Sequence, residues 1–126
     1  MMYEAESGDF NLIAVGDTMI TQRLSIYRED RYLALVDLIR GADASFSNLE
    51  MTFHDYEVAP GLATSPAYSA SHPDRLEDYK WLGFNLVTMA HNHHNDYGID
   101  GLLTSLNHIA QAGLVHAGAG HNLSEA

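Results

Sequence analysis

Short apolar runs alternate with segments of helical periodicity along this chain, and that alternation limits the fold more than any other feature. Residues 10–15 form an apolar run closed by Gly16 and Asp17, the pattern of a buried parallel strand. Tyr32, Leu35, Val36 and Ile39 follow at helical spacing, and Gly41 marks the stop. Residues 44–47 read as a second strand leading into Asn48, Leu49 and Glu50. Pro73 and Asp74 suit the first turn of a helix that runs to about Leu82 and stops at Gly83. Residues 86–90 are a third strand. Leu102, Leu103, Leu106, Ile109 and Ala110 then make one helical stripe, ended by Gly113. Residues 114–117 complete the pattern and run into Gly118-Ala119-Gly120. This repeated strand–helix alternation predicts an α/β fold with a mainly parallel sheet and flanking helices. Between 51 and 71 the chain reads as irregular, with Pro60, Gly61 and Pro66 as breakers, and loops that long are usually functional or mobile.

At 126 residues the chain is expected to be one α/β domain with a core of its own. Residues 123–126 look like the first turn of a further helix, so the expectation is an incomplete N-terminal part of a larger domain. There is no cysteine, which removes disulfides, thiolate metal sites and thiol catalysis together. A metal must then be held by imidazole, carboxylate or amide oxygen, a set that suits manganese, zinc, iron or magnesium. A net charge of −11 argues against a nucleic-acid partner, and an anionic substrate would need a bound cation to offset repulsion. No apolar run approaches membrane-spanning length. Residues 1–6 lack the basic and apolar regions of a signal peptide, so the chain as it stands reads as cytoplasmic.

Polar residues collect at the predicted strand ends, where sites of α/β sheets lie. The run Ala90-His91-Asn92-His93-His94-Asn95-Asp96 carries more ligand and proton-transfer chemistry than a structural turn needs. Asp17 and Glu50 close two other strands, and with Asn92 they can converge on one crevice as metal ligands. Taken singly, Gly16-Asp17 is more readily a turn with a capping aspartate. His93 is the expected catalytic histidine. His91, on the same side of the chain if the strand continues, is a second catalytic candidate, and His94 reads as a solvated loop residue. Asn48 and Asp96 are expected behind these groups, orienting them, although Asp96 could equally cap the helix that follows. His54, His72, His108, His116 and His121 are isolated and read as structural or surface residues. No Gly-x-Ser-x-Gly elbow is present. Gly118-Ala119-Gly120 lacks the third glycine of a dinucleotide fingerprint and reads equally as a tight turn.

Several stretches together resemble the bacterial capsule-synthesis CapA family, the poly-γ-glutamate capsule proteins, whose fold is similar to calcineurin-like metallophosphoesterases. They are Gly16-Asp17-Thr18-Met19; residues 42–50, ending in Asn48-Leu49-Glu50; residues 82–87; Ala90-His91-Asn92-His93 with Asp96-Tyr97-Gly98; and Gly113 with Gly118-Ala119-Gly120, Asn122-Leu123 and Glu125-Ala126. The resemblance implies half of an α/β sandwich, with Asp17 as first metal aspartate and Glu50 as the bridging acidic position. Asn92 matches the amide ligand and His93 the acid or electrostatic histidine. Met19 stands where such phosphoesterases carry a metal histidine, which weakens one metal position. Further histidine ligands come from a later half, so the rest of the domain or another chain is the implied partner, and homo-oligomers are conceivable. The implied function is a metal-dependent enzyme on a peptide or poly-γ-glutamate-type substrate, by amide hydrolysis or polymer processing. Peptide epimerisation, phosphoester cleavage and a non-catalytic role in capsule assembly are the alternatives.

Overall fold

The computed structural model describes residues 8–61 and 67–126. Pro66 and the segment 1–6 read above lie outside them. The elements run β1 (Leu12–Thr18), α1 (Asp30–Arg40), β2 (Ala44–Leu49), β3 (Thr52–Phe53), β4 (Ala70–Ser71), a 3₁₀ turn (Pro73–Arg75), α2 (Leu76–Leu82), β5 (Leu86–Thr88), α3 (Gly98–Ala112) and β6 (Val115–Ala117). The α/β reading holds: β1, β2, β5 and β6 form one sheet in that order, and every pairing is parallel. The segment read as irregular contributes a second, two-stranded parallel pair, β3 with β4. Asp30 in the first turn of α1 and Arg40 in its last both complement the helix dipole. Helices α2 and α3 stop on left-handed glycines, Gly83 (φ 107°) and Gly113 (φ 77°). Among the described residues no helix is long and apolar enough to cross a membrane.

Strand order in this sheet follows chain order, so each crossover steps the same way. Parallel crossovers are right-handed, which sends α1, α2 and α3 to one face. Their neighbour contacts agree, α1 packing on α2 and α2 on α3. The core lies under them, from Val36, Ile39, Leu49, Tyr79, Leu82, Val87 and Ile109. Alternation along β2 shows the asymmetry: Ser45, Ser47 and Leu49 are buried, whereas Ala44, Phe46 and Asn48 are only half-buried.

Among the described residues the opposite face carries no helix. In-register pairing lines up Ala14, Phe46, Leu86 and Val115 across it, with Leu12 one step below at 58% exposed and Val115 at 63%. The next row, towards the strand ends, turns polar: Asp17, Asn48 and Thr88, then Ala117. This bare face brings the candidate residues together.

Candidate functional site

A bulge in β1 sets the first ligand candidate. Ala14 pairs with Phe46, but the next pair is Asp17 with Asn48, one residue more on β1 than on β2. That extra residue turns Asp17 from the helix side to the bare face. The strand therefore does not close at Gly16-Asp17 as read from sequence; it runs through Asp17 to Thr18. Thr18 is held by the Tyr79 hydroxyl, which donates to its carbonyl at 2.7 Å.

Asn48 joins the two carboxylates. Its Nδ2 donates to Asp17 Oδ1 at 2.8 Å and also to Glu50 Oε2. Asp17 is exposed and Glu50 is 8% exposed. Two carboxylates held to one amide repel each other unless positive charge lies between them. Asn48 Oδ1 is itself buried and has no hydrogen-bond partner among the described residues.

His91 comes in from the turn after β5, which ends at Thr88, two residues sooner than the sequence suggests. Its side chain is 1% exposed, with Nδ1 3.9 Å from Glu50 Oε2. Nδ1 accepts the His93 N–H at 3.2 Å, and Nε2 is buried without a partner among the described residues. Burial first, then the neighbouring His94 and His93, push its pKa down to about 4 against opposing pulls from Asp96 and Asp17. His91 is thus a neutral imidazole between the carboxylates and the other histidines. His94 is half-buried rather than solvated; its Nδ1 meets the His91 carbonyl and its ring stands edge-on to His91.

His93 is turned to Asp96, with Nδ1 to Oδ2 at 2.8 Å. Asp96 is 3% exposed and also accepts the Ser69 N–H at 2.6 Å. It therefore braces the histidine. It does not cap α3, whose N-cap Tyr97 makes no side-chain cap bond. An imidazole giving its Nδ1 proton to a buried carboxylate keeps Nε2 for proton exchange. Asn92 is exposed at the same end of the sheet and makes no side-chain hydrogen bond among the described residues. The structure joins Asp17, Asn48, Glu50 and His91 as one cluster and His93 with Asp96 as a second, and leaves Asn92 apart from both. Gly118 lies against the end of β5, where a Cβ would come within 2.8 Å of Ala90 Cβ. The glycine pair sits in a bend of the backbone after β6.

Among the described residues no three histidine, aspartate or glutamate side chains already stand as a metal cage. The donor chemistry nevertheless fits a divalent cation: two carboxylates drawn to one amide, whose own oxygen is buried without a partner among the described residues. Hard and borderline ions take such oxygen sets.

Residues 11–126 match the family model described as bacterial capsule synthesis protein PGA_cap. The chain belongs to this family. Two proteins of Sinorhizobium fredii (strain NBRC 101917 / NGR234), the uncharacterized y4sH and y4uA, are each 31% identical over 120 residues, covering 93% of this chain and 26% of theirs. The PGA biosynthesis protein CapA of Bacillus subtilis (strain 168) is 27% identical over 109 residues, 76% of this chain and 29% of that protein. The chain thus spans between a quarter and a third of the length of these curated relatives. Membership of the capsule-synthesis family accords with the motif order read from the sequence.

Proposed function

We propose that the protein works, within its full-length form, as a metal-dependent enzyme on a peptide or poly-γ-glutamate-type chain. Asp17 and Glu50 are assigned as ligands, with Asn92, exposed and apart from them at the same end of the sheet, as a third, and His93 as the proton carrier. The observation that carries this is the pair of carboxylates drawn to one amide group, Asn48, at the carboxyl end of a parallel sheet. The name of the Bacillus relative, a PGA biosynthesis protein, supports the substrate class. When bound, a divalent cation supplies Lewis acidity, polarising an amide carbonyl and easing ionisation of a water. Asn48 sets the spacing of the two carboxylates. His91, neutral and buried, excludes water behind Glu50. Amide hydrolysis puts the water oxygen on the carbonyl carbon and needs a proton on the departing nitrogen; His93, steadied by Asp96, is assigned that proton.

The reaction is tested by incubating full-length protein, a divalent metal and poly-γ-glutamate in deuterated water. New amine without deuterium at the α-carbon is the expected result. Deuterium at that carbon without new amine would replace hydrolysis by epimerisation. Phosphate release from a generic phosphoester with the glutamate polymer untouched would replace it by phosphoester cleavage.

The bare sheet face is assigned to a further layer, supplied by more of the same protein or by another chain. Burying each of Leu12, Phe46 and Val115 would contribute about 1.5–3 kcal/mol. Residues 1–126 alone are therefore expected to associate, and the double change Leu12→Lys, Val115→Lys to shift them towards monomer with the circular dichroism unchanged. Sedimentation velocity reads this directly. A strictly monomeric parent would remove the assignment.

A further inference from the structure

A cleft of about 190 Å³ opens beside the candidate site, walled by His54, Tyr56, Tyr68, Ala70, His72 and Tyr97. It is continuous with that site along the chain twice over. His54 follows Glu50 by way of β3, and Tyr97 follows Asp96, which holds His93. The His54 ring lies against Tyr97 with centroids 4.1 Å apart, and Tyr68 meets Tyr97 edge-on at 5.8 Å. Tyr56 is 91% exposed and has φ 61°, a backbone conformation a bulky residue seldom adopts. Such strain gathers at ligand sites, and here the Tyr56 N–H donates to His54 Nδ1 at 3.2 Å.

That hydrogen bond decides which nitrogen of His54 carries the proton. With Nδ1 accepting, the neutral ring has its proton on Nε2. Burial lowers the His54 pKa, so the ring is neutral at neutral pH. Nε2 is buried and has no partner among the described residues, a situation that costs about 1–3 kcal/mol. The missing partner must be an acceptor, which excludes an ammonium group. Carboxylates stand just outside its wall: Asp55 and Asp74 lie 3.4 and 3.5 Å from His72, and Glu57 is engaged by His108. A carboxylate at this contact would be repelled, so any charged groups of a bound chain must lie away from it. What remains is an uncharged acceptor with flat or aliphatic flanks.

We propose that this cleft binds a backbone amide of a peptide-type chain, its carbonyl oxygen accepting the Nε2 proton of His54 and its flanks lying against Tyr56 and Tyr97. The proposal rests on the reading of the adjoining site as one that acts on such a chain. It adds the contact that holds the chain away from the reacting bond.

The test is a titration of the protein, kept metal-free with chelator, with N-acetylglycine N-methylamide, read by long-range ¹H–¹⁵N NMR of the His54 ring and by the Tyr97 ring signals. Saturable shifts at both are expected, and none with acetate or methyl glucoside. His54→Phe, which keeps the ring but not the donor, should weaken binding roughly five- to tenfold. Tyr56→Ala, at an exposed position that leaves the core untouched, should weaken it about threefold or more through lost contact area. Preferential saturation by acetate or by the glucoside, or unchanged amide binding in His54→Phe, would overturn the proposal. Amide binding in a protein that never turns over substrate with metal would leave this cleft standing and remove the enzymatic reading instead.

Discussion

Replacing His93 with glutamine is expected to leave metal binding intact and to cut turnover by roughly 10²–10⁴-fold, the range for loss of a general acid or base. Glutamine can still hydrogen-bond Asp96 but cannot carry a proton. The buried carboxylate therefore keeps a partner, and the fold should be unaffected. Asp17→Ala and Glu50→Ala should behave differently, losing metal and turnover together, because each removes an anionic oxygen from the group around Asn48. Rates and metal content measured side by side on the full-length variants separate the two roles. Full turnover in His93→Gln would show that the proton carrier has been misassigned, with His91 next to be tested.

The largest loss of stability is expected at a residue outside this site. Asp78 on α2 is 1% exposed, and its Oδ1 accepts the N–H groups of Leu24 and Ser25 at 2.9 and 3.0 Å. Its Oδ2 pairs with Arg75 at 3.3 Å. One buried carboxylate thus pins the connection after β1 to the second helix. Asp78→Ala strands two backbone donors and an arginine that is itself 12% exposed. Breaking a buried pair from one side costs about 3–5 kcal/mol, a large part of the roughly 5–15 kcal/mol that holds a domain folded. In thermal unfolding this should lower Tm by roughly 10–20 °C. Asp78→Asn, which keeps one acceptor oxygen, should lose less. A variant that melts within about 3 °C of the parent would show that the pin contributes little.

The parallel strands were legible because a strand covered by helices must be apolar, and the helices because their stripes keep one spacing. What failed were features set by partners distant in sequence. Gly16 and Asp17 look like a stop, but the ladder with β2 carries β1 through them by way of a bulge. Thr52–Phe53 and Ala70–Ser71 are too short for any periodicity, and they exist as strands because they find each other. Strand order puts all three helices on one face, and no local pattern encodes strand order. Asn48 and Asp96 were legible as polar residues close to a carboxylate and to the histidines, and the structure gives each a hydrogen bond to one of those groups. That Asn48 grips both acids at once depends on the flipped face of Asp17. His54 reads as an isolated histidine in sequence. Its tyrosine neighbours come from three separate stretches, and no local pattern brings them together.

The central claim is that Asp17 and Glu50, gathered by Asn48, form the core of a divalent-cation site. Isothermal titration of the full-length protein with manganese(II) tests it most directly. The account predicts one saturable site in the parent and its loss in Glu50→Gln, which fills the same space without the charge. Undiminished binding in Glu50→Gln, or no binding in the parent, would contradict it.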